Sequence, residues 1–249
     1  MQQRHPSLRD APVAFAHRGA SAHARENTLE AFRLALRLGA NGLETDAWLS
    51  ADGRVVLDHD GAFRRGLRKR PVSAIHSTEL PGHVPFLDTV LSELGNGFHL
   101  SIDLKDRAAV GAIADVAVRL GFNQSNLWLC SPEIDLLGAC REAMPSANLV
   151  HSTRLSRLRN GVERHCDELR ERRISALNLH HSEWNGGTVV LCHRFGRLAL
   201  AWDLQHVEHM ESALLMGVDG VYSDHVDMMT ECFGRLVGVP RLPGLETAE

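Results

Sequence analysis

Apolar residues along this chain gather in short runs, separated by stretches in which they return every three or four positions. The runs read as strands over Val13–His17, Gly42–Trp48, Val55–His59, His99–Lys105, Leu127–Ser131, Asn148–Thr153, Ala176–His181, Leu198–Leu204 and Gly220–Asp224. The periodic stretches read as helices, among them Thr28–Leu38, Ala108–Leu120, Ile134–Ala143, Gly161–Arg172 and Val207–Met216. Strands alternating with helices predict βαβ units and a parallel sheet.

One strand does not fit that scheme. Only Leu49 to Arg54 separate Gly42–Trp48 from Val55–His59, too little chain for the helical crossover that parallel strands need. Asp52-Gly53 between apolar runs is instead a hairpin signal, so Val55–His59 is expected to run antiparallel to its predecessor. The remaining eight strands predict an α/β fold, a (β/α)8 TIM barrel, as one domain over residues 1–249. The segment Asp60–Pro85, with Arg64-Arg65, Arg68-Lys69-Arg70, Pro71 and Pro81-Gly82, fits neither a strand nor a good helix and reads as an insertion or lid over about 60–85. The Pro- and Gly-rich tail from Val237 is expected to fray or lie on the surface.

The hairpin carries chemistry. Glu44 and Asp46 are two apart on one strand and share a face. With Asp52-Gly53 as the turn, His59 pairs opposite Asp46; with the turn one residue earlier it lies nearer Glu44. Either register gathers two carboxylates and an imidazole. Such a cluster is costly unless compensated, and a divalent cation is the natural compensation.

Composition narrows the function classes. Of 249 residues, 44% are hydrophobic and 23% charged, ordinary for a globular protein with a full core. The net charge of −4 offers no basic field for nucleic acid. Met1 to Pro6 lack the apolar core of a signal peptide, and the sequence holds no apolar run of about 18 residues, so no transmembrane helix is expected. The five cysteines include no CxxC pair and suit a reducing, cytoplasmic setting. No pattern in the sequence specifies an oligomeric state.

Further candidates sit at strand ends, where barrel enzymes carry their sites. His17 closes the first strand and can exchange a proton near neutral pH. Arg18 can fork two hydrogen bonds to phosphate oxygens, and Gly19 permits close backbone approach. An isolated His-Arg-Gly would more simply be a buried histidine. Glu26-Asn27 precedes a helix, for which Asn27 or Thr28 is the expected N-cap. Asp103 and Lys105 form another pair at period two; Asp103 would complete a metal shell and Lys105 would offset phosphate charge, or the two would make a structural salt bridge. Hard carboxylate oxygens suit Mg2+ or Ca2+. The remaining histidines, including His180-His181, His206 and His209, have no supporting partner in the sequence beyond a substrate-lining place for one of the first pair. The Arg64–Arg70 run reads as a solvated surface.

Four pieces in order, Ala16-His17-Arg18-Gly19-Ala20, Arg25-Glu26-Asn27-Thr28, Glu44-Thr45-Asp46 and Asp58-His59-Asp60, resemble the glycerophosphodiester phosphodiesterase family. Gly217 to Asp224 resemble its last strand, so the likeness runs from Ala14 to about Val226. It implies hydrolysis of small-molecule glycerophosphodiesters to glycerol 3-phosphate and an alcohol. It implies His17 and His59 as a general acid–base pair, and one divalent cation held by Glu44, Asp46 and Asp103, with Glu26. Arg18, Lys105 and Trp202 would bind the phosphate and the substrate. The chain departs from the family in having Asp103 for the usual Glu, Ala24-Arg25 for the usual proline before Glu26, and Trp202-Asp203-Leu204-Gln205 for the usual Trp-Thr motif. These departures leave open a lysophospholipase D activity, or a catalytically weakened barrel that binds a phosphate ligand.

Overall fold

The structure, a computed structural model, describes residues 4–65 and 68–243. Eight parallel strands close on themselves: β1 (Val13–Ala16), β2 (Gly42–Leu49), β6 (His99–Leu104), β7 (Leu127–Ser131), β8 (Asn148–Ser152), β9 (Ala176–His180), β10 (Leu198–Trp202) and β11 (Gly220–Ser223). Closure is made by β1, which pairs in parallel with β11 (Val13 beside Gly220) and with β2 (Phe15 beside Gly42). Helices α1 (Leu29–Arg37), α2 (Leu87–Leu94), α3 (Ala109–Arg119), α4 (Ile134–Ala143), α5 (Gly161–Glu171), α6 (Gly186–Arg194), α7 (Val207–Met216) and α8 (Val226–Leu236) return the chain between strands. The expected TIM barrel is therefore the observed one.

Two apolar cores follow from the strand period. One face of each strand packs on the helices, as Leu43, Leu100, Leu129, Leu177 and Ala199 do. The other face fills the barrel with Val13, Phe15, Trp128, Val150, Leu200 and Tyr222. Phe15 stacks on Tyr222 at 4.7 Å and meets Trp128 edge-on at 5.5 Å. Gly42 gives that ring its space, because a Cβ there would lie 2.6 Å from the Phe15 side chain.

The antiparallel hairpin is present, as β3 (Val55–Leu57), but in neither expected register. Ala47 lies opposite Leu57, Trp48 opposite Val56 and Leu49 opposite Val55, and Asp58 then donates its N–H to the Asp46 carbonyl at 3.1 Å. The turn is longer than two residues. The Asp52 carboxylate is drawn away to Ser50 Oγ at 2.7 Å, and to Ser77 N and Oγ at 2.8 and 2.6 Å. A shift of one residue exchanges strand faces, so Asp58, not His59, comes level with Asp46.

The insertion is also more ordered than expected. It contains a two-stranded hairpin, β4 (Ala62–Arg65) with β5 (Arg68–Pro71), followed by short 3-10 turns at Val72–Ala74 and Ser77–Glu79; residues 66 and 67 lie outside the described residues. The tail as far as Pro243 runs along the strand N-terminal face, where Asn41 Nδ2 donates to the Arg241 carbonyl at 3.0 Å; residues 244–249 lie outside the described residues. Among the described residues no helix is long and apolar enough to cross a membrane.

Trp48 pins the segment that follows β3. Its indole N–H donates to the Asp58 carbonyl at 2.8 Å, and Gly61, at φ +61°, would place a Cβ 2.2 Å from the Trp48 ring. Gly61→Ala is therefore expected to destabilise the fold by about 1–3 kcal/mol, through steric overlap and left-handed strain together. Urea denaturation measures this, and an unchanged midpoint would mean that the turn is free to move off Trp48.

Candidate active site

Side-chain alternation decides which residues meet at the mouth of the barrel. Val13 and Phe15 face its axis, and two residues further His17 turns the same way as β1 ends. The same step of two brings Glu44, Ser101, Asp103, Cys130, Asn178 and Tyr222 from five other strands into one cavity of about 300 Å³ at the C-terminal ends of the strands, with His17, Arg18, Trp202 and Asp203 on its walls.

Glu44 is the centre of this arrangement. It is 6% exposed and accepts the Arg18 backbone N–H at 2.9 Å, while His17 Nε2 lies 3.8 Å from the same carboxylate oxygen. Arg18 presents that N–H from a left-handed conformation, φ 53°, which few non-glycine residues adopt. Its guanidinium donates to Glu26 at 2.9 Å and lies 3.6 Å from Asp46, yet its buried Nε has no hydrogen-bond partner. Lys105 lies between Asp46 (3.2 Å) and Asp103 (2.5 Å). Asn27, at φ 49°, donates to Asp46 at 3.2 Å and accepts from Thr45 Oγ1 at 2.6 Å. The N-cap of α1 is thus Thr28, whose Oγ1 accepts the Ala31 N–H at 3.2 Å, and Asn27 is released to the site.

His17 is oriented by a residue with no role assigned from sequence. Its Nδ1 lies 2.6 Å from Asp224 Oδ1, and Asp224 is itself fixed by Ser21 Oγ at 2.9 Å and Gln205 Nε2 at 3.0 Å. Period two along Gly220, Tyr222 and Asp224 could have pointed Asp224 inward. Its meeting with a residue 207 positions earlier is a product of barrel closure alone. Burial opposes protonation of His17, but Glu44 and the hydrogen bond to Asp224 outweigh it, and its pKa is raised above 6.5. Burial pushes the Glu44 carboxyl up to about 7; His17 resists this, while Asp46 and Asp103 add to it. Cys130 shares the cavity, but burial holds its thiol protonated far above neutrality, so it is no nucleophile there.

No hydrogen bond or ion pair joins His59 to Glu44 or Asp46 among the described residues. His59 is an exposed side chain on the turn after β3, with Nδ1 3.1 Å from Asp60 Oδ1, and the expected gathering of His59 with Glu44 and Asp46 is replaced by the His17–Glu44 contact. The structure brings His17, Arg18, Glu26, Glu44, Asp46, Asp103 and Lys105 together, and places Trp202 across the cavity beside His180, ring centroids 4.7 Å apart.

The donor set fits a hard divalent cation on chemical grounds. Four carboxylates, one of them pushed up to about 7 by burial, need positive charge, and Mg2+ or Ca2+ prefers such oxygens. Glu44, Asp46 and Asp103 do not form one of the tight groups of potential ligands among the described residues; those are His23 with His225 and Asp227, and His180 with His181 and Asp203. In their place Arg18 and Lys105 partly neutralise the carboxylates.

Comparison with known proteins agrees with this geometry. The glycerophosphoryl diester phosphodiesterase family description matches residues 17–228. YhdW of Bacillus subtilis, provisionally named a glycerophosphodiester phosphodiesterase, is 28% identical over 240 residues, covering 86% of this chain and 95% of that one. The glycerophosphodiester phosphodiesterase of Thermotoga maritima superposes with a TM-score of 0.76 at 25% identity, over 88% of this chain and 97% of that one. A phosphodiesterase of Oleispira antarctica, in complex with its product sn-glycerol-3-phosphate, gives 0.79 at 21% identity, over 90% and 97%. The chain belongs to the glycerophosphoryl diester phosphodiesterase family and is a phosphoric diester hydrolase of the glycerophosphodiester phosphodiesterase type.

Proposed function

We propose that this chain hydrolyses small, water-soluble glycerophosphodiesters to sn-glycerol 3-phosphate and an alcohol, in a cation-dependent reaction with His17 and His59 as the general acid–base pair. The observation that carries the reading is His17 itself: Asp224 holds its Nδ1, so Nε2 is the nitrogen presented to Glu44 and the cavity. A carboxylate also holds Nδ1 of His59, leaving its Nε2 available at the mouth.

In this reading His17 removes the proton from the nucleophile, either water or the neighbouring glycerol hydroxyl, and His59 gives a proton to the departing alcohol oxygen. Asp224 is a positioning residue that fixes the His17 tautomer. Arg18, whose buried Nε lies 3.6 Å from Asp46 without hydrogen-bonding to it, and Lys105 neutralise charge that grows on the phosphoryl oxygens. Trp202 Nε1 and Asn178 Oδ1 are also buried without partners, a donor and an acceptor suited to glycerol oxygens. Glu44, Asp46, Asp103 and Glu26 would hold one divalent cation, Mg2+ or Ca2+, which when bound supplies Lewis-acid polarisation of a phosphoryl oxygen. A cavity of about 300 Å³ with carboxylate, guanidinium and amide groups on its walls suits a glycerophosphate group with a small alcohol.

Release of glycerol 3-phosphate from glycerophosphocholine, glycerophosphoethanolamine and bis-glycerophosphate tests the activity. Release is expected to stop with EDTA and return with Mg2+ or Ca2+; no release with any of the three, together with calorimetric binding of the metal, would leave a phosphate-binding barrel. His17→Ala and His59→Ala are each expected to lower kcat by at least about a hundredfold, and near wild-type turnover by His59→Ala would reject the pair. Because His17 must be neutral to accept a proton, the acid limb of kcat/KM should follow the His17 pKa of the metal-loaded enzyme. Asp224 raises the His17 pKa, so Asp224→Asn should lower kcat and move the limb to lower pH. A limb that stays in place would remove His17 as the base.

A further inference from the structure

Five side chains, His180 at the end of β9, His181 just after it, Asp203 and His206 after β10, and His209 in the first turn of α7, form a second cluster at the mouth. His180 Nε2 lies 3.0 Å from Asp203 Oδ2, His180 and His181 have ring centroids 4.4 Å apart, His181 stacks on His209 at 4.2 Å, and His206 meets His209 at 5.5 Å. One ligand atom from each of His180, His181 and Asp203 lies within 4.8 Å of the others. In the closed sheet β9 and β10 lie three or four strands away from β2 and β6, so this cluster faces Glu44, Asp46 and Asp103 across the mouth. The proposed reaction assigns it no task.

We propose that His180, His181 and Asp203 form a second cation site, selective for a borderline first-row ion such as Zn2+ and distinct from the carboxylate site. The chemistry of the donors makes the distinction. Imidazole nitrogens suit Zn2+, Ni2+ and Cu2+, whereas Mg2+ and Ca2+ prefer oxygen. Two histidines and one carboxylate leave room for a water, as an accessible site requires. His180 Nδ1 accepts the Ser182 backbone N–H at 3.3 Å and lies 2.8 Å from Ser182 Oγ, so Nε2, which faces Asp203 at 3.0 Å, is the nitrogen that an ion would take on displacing its proton. His209 holds the His181 ring by stacking. Arg154, 4.5 Å above the Trp202 ring, has its charge met by Glu183 at 3.8 Å. Asp203 also lines the active cavity, so an ion here and the substrate share a wall.

Calorimetric titration of the whole protein with Zn2+, in millimolar Mg2+ to fill oxygen sites, tests this, with Co2+ absorption reporting nitrogen ligation. Wild type is expected to take up Zn2+ at this site, and His181→Ala to weaken that uptake by at least about tenfold; His181→Gln serves should the alanine variant not fold. The other tight group, His23 with His225 and Asp227, is the control. Uptake lost in His23→Ala but retained in His181→Ala would overturn the proposal. So would the absence of Zn2+ uptake over Mg2+, or a Co2+ spectrum without nitrogen ligands.

Discussion

A carboxylate buried on a barrel strand is the constraint around which the rest of this site is arranged. Glu44 points into the barrel with almost no exposure, and an uncompensated charge in such a place costs several kcal/mol or is neutralised by a proton. The chain supplies partial compensation at once: the Arg18 N–H and the His17 ring both address one Glu44 oxygen. To do so the backbone after β1 must enter the left-handed region at Arg18. That bend sends the guanidinium toward Glu26 and Asp46. Strain at a non-glycine residue beside an electrostatically frustrated carboxylate is the kind of arrangement that a ligand relieves.

Much of this was legible in the sequence because strand alternation has a fixed period. Val13, Phe15 and His17 are two apart, as are Glu44 and Asp46, and Asp103 and Lys105. Apolar patterning gave the strands to within a residue or two and identified Val55–His59 as the antiparallel one. Shared inward faces then followed without any structure. Helices Ile134–Ala143 and Val207–Met216 ended where their patterns ended.

What the sequence did not reveal depends on contacts between distant segments. The β2–β3 register was misjudged because Ser77, 25 residues on, captures the Asp52 side chain, and no local pattern announces that. His59 was expected against the carboxylates on the strength of that register. Asp224 reaches His17 only through barrel closure, and His180 at the end of β9 gains its partners only when the adjacent β10 sets Trp202 and Asp203 beside it. Between the two expected caps, Asn27 and Thr28, the sequence could not choose; Thr28 caps and Asn27 bridges Thr45 and Asp46.

The central claim is that Glu44 is the carboxylate on which a divalent cation and the His17 proton both depend. NMR titration of the His17 ring, without metal and with saturating Mg2+, tests it most directly. Without metal the ring should titrate above 6.5, since Glu44 and Asp224 favour its charged form. With Mg2+ bound the midpoint should fall, because the cation cancels the attraction of Glu44. A His17 midpoint that does not move when Mg2+ binds would contradict the account and place the metal elsewhere.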